Sequence, residues 1–249
     1  LRFATPADIP RIEEICNDPQ IRLWTAIDGA PACVADRYVA APNFTILAEE
    51  GCFLLVSFGE GRYCVHTNLL PSYHGARALR VAREALEMAF LRTDMTELLT
   101  LVPACTPQAA WFSRSVGMRK RFERKQIYPL MGRRWDVDFF SLDIHDWIVG
   151  CERLRDLGEA FHARLHELRP DDVRHGEDPV HNAYVGAVAA MVEARVSPAK
   201  AVDLYNAWGR WAFYKPIRLA SEDPMRIDIG PCVLRADEGS FTVEESEYA

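Results

Sequence analysis

The residues best suited to chemistry lie in one stretch, Pro71-Ser72-Tyr73-His74-Gly75-Ala76-Arg77-Ala78-Leu79, at the start of the clearest helix in the chain. A helix N-terminus offers unpaired backbone N–H groups and the positive end of the helix dipole. A phosphate settles there when small residues let the backbone approach it, and Gly75 and Ala76 give that room. Arg77 and Arg80 add positive charge at the first turn, and His74 either touches a phosphate or caps the loop. The arginines also have a plainer reading as a solvated helix face. Arg80 with Glu84, and Arg83 with Glu87, stand at i, i+4, where ion pairs form.

Other reactive types are scattered. His66, in an extended stretch just upstream, ionises near neutrality, which suits either a general base or a hydrogen-bonded sheet histidine. His162 and His166 stand at i, i+4 on a helix, a spacing that can bind metal. No glutamate follows His162 and no third ligand is evident, so no metal is expected. His175 and His181 flank a polar segment without a recognisable pattern. The seven cysteines are odd in number and form no CxxC pair. This argues against zinc ribbons and disulfide frameworks and for reduced, mostly buried thiols, Cys64 and Cys105 among them. Tyr205, Trp208 and Ala212 follow helical spacing, with Trp211, Phe213 and Tyr214 close by, and read as core packing or a docking face.

The elements that must position these residues follow from hydrophobic periodicity. Ile9, Ile12, Ile15 and Cys16 recur at helical spacing behind the cap Thr5-Pro6-Ala7-Asp8, and a short helix is expected over 32–39. Extended segments at 44–48, 52–58 and 62–70 are separated by Glu49-Glu50-Gly51 and Gly59-Glu60-Gly61, giving an antiparallel meander. Over 76–92, Leu79, Ala82, Leu86, Ala89 and Phe90 share one helical face. The apolar strand 98–102 then implies a right-handed crossover and parallel pairing. A helix over 107–116 stops at Gly117, and strands at 119–126 and 135–142 enclose the turn Met131-Gly132-Arg133-Arg134. Beyond Asp143 a charged amphipathic helix is expected over 146–168. A polar linker, helices at 179–194 and 198–213, and β-prone segments at 225–229, 232–235 and 241–243 follow.

Composition sets outer limits. Hydrophobic residues make up 49% and charged residues 26% of the 249 positions, enough to bury a core. The formal net charge of -7 argues against nucleic acid or an anionic membrane as a general partner. No apolar run spans a bilayer, and Pro6, Asp8, Pro10, Glu13 and Glu14 interrupt any signal peptide.

Four local matches, in order, carry a family resemblance. They are Leu1-Arg2-Phe3-Ala4-Thr5-Pro6-Ala7-Asp8 with Asn17-Asp18-Pro19; the strand 62–70 running into Pro71-Ser72-Tyr73-His74-Gly75-Ala76-Arg77-Ala78-Leu79; Val102-Pro103-Ala104-Cys105-Thr106 with Gly117-Met118; and Arg133-Arg134-Trp135-Asp136-Val137-Asp138-Phe139-Phe140-Ser141-Leu142 with Trp147. In these the chain resembles the GNAT (Gcn5-related N-acetyltransferase) superfamily, within it the RimJ/RimL-like members. The fold this implies is α+β, a mixed and mostly antiparallel twisted sheet flanked by helices. A small C-terminal helical/β module would follow it. The organisation expected is an acyl-CoA-binding domain over 1–147, a helical connector and linker over 148–177, and the module over 178–249.

The resemblance implies acetyl-CoA as co-substrate, without metal, and a primary amine as acceptor. It places His66 as the base, Ser113 as proton donor to the leaving thiolate, and the backbone N–H groups of Leu69 and Leu70 at the thioester carbonyl. His74, Gly75, Ala76, Arg77, Ala78, Arg80 and Thr106 would then hold the cofactor. The sequence departs from the family's pattern at several points. Ser72 stands at the leading Arg/Gln of the phosphate loop and Arg77 at its last small position, unless the register shifts to Ala76 and Ala78. Thr106 replaces an Asn, and Ser113 a frequent Tyr. The segments Asp178-Pro179-Val180-His181-Asn182-Ala183-Tyr184-Val185-Gly186-Ala187 and Leu204-Tyr205-Asn206-Ala207-Trp208 loosely resemble the extension of GNAT-like proteins of tailed bacteriophages. Two functions stay open. One is a cytoplasmic N-acyltransferase. The other is a GNAT-fold scaffold in a virion or assembly, whose C-terminal module makes homo-oligomeric or virion contacts. A module that senses acyl-CoA without turnover is a third.

Overall fold

The computed structural model describes residues 1–171, 178–212, 218–219, 226–229, 232–237 and 240–245. The middle of the expected linker, His175, Phe213, Tyr214, Met225 and the side chain of Trp211 lie outside the described residues. The chain forms two compact units, Leu1–Ala89 with Met95–Asp143, and Phe90–Asp94 with Ile144–Ala249.

The first unit is built on a seven-stranded sheet. The strands are β1 (Arg2–Phe3), β2 (Phe44–Ala48), β3 (Gly51–Ser57), β4 (Arg62–Leu69), β5 (Glu97–Pro103), β6 (Arg119–Leu130) and β7 (Arg133–Asp143), in the order β1-β2-β3-β4-β5-β7-β6. Every neighbouring pair is antiparallel except β4 and β5. That exception follows from the crossover between them, the helix α4 (Ala76–Arg92), which returns the chain to the same end of the sheet. Helices α1 (Ile9–Cys16), α2 (Pro19–Thr25) and α3 (Asp36–Val39) precede β2, and α5 (Pro107–Ser115) follows β5.

Strand alternation sorts the side chains onto two faces. Ile12, Ile15 and Ile21 from α1 and α2 pack with Leu47, Cys52 and Leu54 in a buried cluster on one face. On the other, Ile46, Phe53, Leu55 and Val65 meet Ala82, Ala85, Leu86 and Ala89 of α4 around a small apolar void of about 50 Å³.

Besides α3, which covers only Asp36–Val39 of the expected 32–39, three local features differ from expectation. First, α2 is an additional helix. Asp18 caps it, its carboxylate accepting the N–H groups of Gln20 and Ile21, and Pro19 fills the first turn, where no N–H is needed. Second, β6 reaches Leu130 and β7 begins at Arg133, so the hairpin turn is tighter. Its central residues Met131 and Gly132 both have positive φ, as a two-residue hairpin loop requires. Third, the helix expected over 146–168 is two helices, α6 (Ile144–Gly150) and α7 (Glu152–Leu168). Cys151 between them is extended, with φ -87° and ψ 106°, and acts as the N-cap of the second.

The second unit contains α6, α7, α8 (Pro179–Glu193) and α9 (Pro198–Ala212). It also holds a four-stranded sheet of β8 (Arg218–Leu219), β9 (Arg226–Ile229), β10 (Cys232–Asp237) and β11 (Ser240–Glu245) in the order β11-β10-β9-β8. Helix α8 is buried continuously from Asn182 to Val192 and is apolar around its circumference, as a central helix must be. It lies against α7 at backbone contact: a Cβ on Gly186 would stand 1.6 Å from the Leu154 carbonyl oxygen, and one on Gly158 1.7 Å from that of Asn182. The residues 148–168 thus pack within this unit. Tyr205 and Trp208 are buried in it.

Candidate functional site

The first unit opens where β4 and β5 part. Their pairing covers only Arg62, Tyr63 and Cys64 opposite Glu97, Leu98 and Leu99. At the next position the Thr100 hydroxyl donates to the Val65 carbonyl at 3.2 Å, so a side chain stands where a backbone rung would otherwise form. Both strands continue, β4 to Leu69 and β5 to Pro103, without pairing further. Because backbone groups alternate along a strand, Thr67 and Leu69, like Val65, turn theirs into the gap.

The gap leads into a cleft of about 870 Å³. Thr67 and Leu69 form one wall. Pro71, Tyr73, His74, Gly75 and Ala78 form the loop and first turn of α4, Cys105, Thr106, Gln108, Ala109, Trp111 and Phe112 line the opposite side, and Gln20, Ile21, Leu23, Trp24 and Thr25 of α2 line the remainder. Gly75 sits at φ +63°, the left-handed region that favours glycine, and a side chain there would meet nothing within 4 Å. It precedes the first residue of α4, so the helix's unpaired N–H groups lie at the cleft. The lining contains no carboxylate, lysine or arginine, and one imidazole, that of His74.

Several expected site residues lie along this cleft: Leu69, His74, Gly75, Ala78 and Thr106. Thr106 is buried, its hydroxyl donating to the Pro103 carbonyl at 2.8 Å at the start of α5. Others lie elsewhere. The Leu70 N–H donates to the Glu50 carbonyl at 3.0 Å, which leaves Leu69 as the one of the pair aimed at the gap. Arg77 is drawn aside, with its guanidinium 3.3 Å from the Glu49 carboxylate and 4.1 Å from the Tyr73 ring centroid. Ala76 and Arg80 are exposed and outside the lining. Ser72 donates to the Glu50 carboxylate. Ser113 is buried, donates to the Ala109 carbonyl at 3.0 Å, and faces the void under α4 instead of the cleft.

His66 occupies the opposite face of β4 from Thr67, paired with Leu54. It is crowded by protein yet keeps an exposed edge, and this crowding, with the charge of Arg37, lowers its pKa below the ordinary histidine value. It is therefore neutral at pH 7. Burial raises the Cys105 thiol, so a thiol rather than a thiolate faces the cleft. Among the described residues no group of three or more His, Cys, Asp or Glu could hold a metal ion. His162 is buried beside His181, with ring centroids 5.3 Å apart, whereas His166 is exposed.

Sequence reasoning missed the α2 side of the cleft, Leu23 and Trp24, and also Gln108 and Trp111 opposite. Leu23, Trp24 and Trp111 are large and exposed, a departure from the usual burial of such side chains. The Asp18-Pro19 cap was the legible signal for α2. The α2 end is tied to the β6–β7 turn: Asp28 accepts the N–H groups of Met131 and Gly132 at 2.8 Å each, and Tyr128 donates to the Thr25 carbonyl at 2.9 Å.

No protein-family model matches this sequence, and no curated protein does. Solved structures do. A spermidine N-acetyltransferase from Vibrio cholerae, in complex with CoA and spermine, superposes with a TM-score of 0.51 at 14% identity, over 59% of this chain and 96% of that one. The same kind of enzyme in complex with manganese ions gives 0.49 at 14% identity, over 61% and 95%. An acetyltransferase (GNAT family) from Bacillus anthracis gives 0.44 at 16%, over 55% and 89%. The latter two scores are too low to add weight. At such identity the first likeness speaks to architecture alone. The chain therefore has a GNAT-like α+β fold, a mixed and mostly antiparallel sheet with helices, extended by C-terminal helices beyond the matched part.

Proposed function

We propose that the first unit binds an acyl-CoA and transfers its acetyl or similar acyl group to a primary amine. The observation that carries this reading is the parting of β4 and β5 after Cys64 and Leu99, which opens a cleft running to the N-terminus of α4. The free N–H groups behind Gly75 would hold the pyrophosphate, the open edge of β4 would hold the pantetheine arm, and the Leu69 N–H would polarise the thioester carbonyl. The absence of carboxylates from the lining suits an anionic cofactor. The amine enters neutral, attacks the carbonyl directly, and expels the thiolate without a covalent enzyme intermediate. His66, neutral at pH 7, takes the proton of the incoming ammonium, directly or through a water. Because Ser113 is turned away, the thiolate takes its proton from solvent. No helix among the described residues is long and apolar enough to cross a membrane, and we place the reaction in the cytoplasm.

The test is a thermal-shift titration with acetyl-CoA followed by an acceptor screen. Binding to the native state raises Tm by mass action, by about 2.7 kcal/mol of stability at a hundredfold excess over Kd. A flat titration would remove the reading. A scaffold, such as a virion or assembly component, is the second reading, and the diversion of Arg77 to Glu49 favours it, since no arginine then reaches the cleft. It requires no shift at saturating acetyl-CoA and a large symmetric assembly or co-purification with particles.

A further inference from the structure

On the face of the sheet that carries His66, three apolar side chains stand in one row across β5, β7 and β6. They are Leu101, Phe139 and Phe122, each directly opposite the next in register. Leu101 is 43% and Phe122 49% exposed, although both lie within strands. The two phenyl rings stack at 4.3 Å, inclined by 18°, and the Arg124 guanidinium lies 6.0 Å from the Phe122 ring centroid and 5.7 Å from that of Phe139. Leu101 and His66 each stand two residues past the last paired rung, Cys64 with Leu99, so the row begins across the gap from His66.

Next to the row the nearest charge is cationic. The hairpin's carboxylates Glu123 and Asp138 pair with each other across β6 and β7 and belong to the opposite face, as Asp136 does by alternation. Their partners are Lys120 and Lys125. On this face of β7 the next carboxylate, Asp143, lies four residues beyond Phe139 and 3.8 Å from Arg121, and the charges nearest the row and His66 are Arg124 and Arg37. A polycation would meet repulsion here, while a carboxylate would meet a guanidinium able to bind it with two N–H groups.

We infer that the acceptor is an amine carrying both an apolar or aromatic group and a carboxylate, that is, an apolar α-amino acid, seated with its side chain on Leu101, Phe139 and Phe122 and its carboxylate on Arg124. This rests on the acyltransferase reading above. In the step the amino nitrogen, after losing a proton to His66, forms the C–N bond to the acyl carbon as the C–S bond breaks. The sulfur leaves with the electron pair and takes a proton, so ammonium and thioester become amide, free thiol and one proton.

The experiment uses the full chain, acetyl-CoA, and three amines: phenylalanine, phenethylamine, which lacks the carboxylate, and spermidine. Thiol release gives kcat/KM, and calorimetric titration of phenylalanine without CoA reports the shelf separately. Phenylalanine should exceed both other amines by tenfold or more. Arg124→Gln should raise the KM for phenylalanine at least tenfold more than it raises that for phenethylamine, and leave the acetyl-CoA thermal shift unchanged. Spermidine as the preferred amine, or R124Q without effect on phenylalanine, overturns the inference. If phenylalanine binds the wild type and not R124Q but no thiol is released with any amine, the shelf stands and the acyltransferase reading falls. If phenylalanine neither binds nor reacts, the shelf falls whatever acetyl-CoA does.

Discussion

At the scale of single residues, His66 makes the sharpest prediction. Its pKa is lowered in the folded protein by crowding and by Arg37, so the unfolded chain binds a proton more readily. Stability then rises with pH through the interval between the depressed value and the ordinary histidine value near 6.5, and is lost on acidification through it. His66→Gln should flatten that part of the stability–pH curve, measured by denaturant unfolding. If His66 is the base, the same variant should slow turnover about a hundredfold and remove the acidic limb of the rate profile, a limb lying below pH 6.5. Gly75 gives a second prediction. Its position is open, so Gly75→Ala meets no clash and costs only the left-handed backbone, about 1 kcal/mol. The expected drop in Tm is about 2–4 °C. At this scale the sequence disclosed residue types but not where they point. Gly75 and His74 were legible because a loop before a helix has few alternatives. Arg77, Leu70 and Ser113 were not, because each is diverted by a neighbour distant in sequence or one turn back: Glu49, Glu50 and Ala109.

Elements carry the next set of consequences. Where β4 parts from β5 one side-chain hydrogen bond stands, from Thr100 to Val65. Thr100→Val, nearly isosteric, should cost about 1 kcal/mol by chemical denaturation with an unchanged m value, since one hydrogen bond is lost and little surface is uncovered. A variant as stable as the wild type would mean that the strands part without that bond. Most of these elements could be read from periodicity and punctuation. The meander followed from Glu49-Glu50-Gly51 and Gly59-Glu60-Gly61, and α4 from its apolar face. The parting could not, because Thr100 in a short apolar strand looks like any other β-branched residue. The break at Cys151 was hidden for a related reason. The amphipathic pattern runs on through Gly150, and only a backbone change marks the join.

For the molecule as a whole, the least tolerant point is the crossing of α7 and α8. Gly158 and Gly186 let each helix reach the other's backbone, so a methyl group has nowhere to go. Gly186→Ala should destabilise the second unit by about 3 kcal/mol or more, with protection against hydrogen exchange falling along both helices. Exchange as slow as in the wild type would exclude so close a crossing. The cleft depends on a different kind of closure. Residues 25 and 28 are held by 128, 131 and 132, from more than a hundred positions later. During synthesis Ile21 can already join its buried cluster, but the far end of α2 lacks these three hydrogen bonds until the β6–β7 turn has left the ribosome. Nascent chains halted before that turn emerges should be cut by protease between Thr25 and Asp28 more readily than those in which it has emerged.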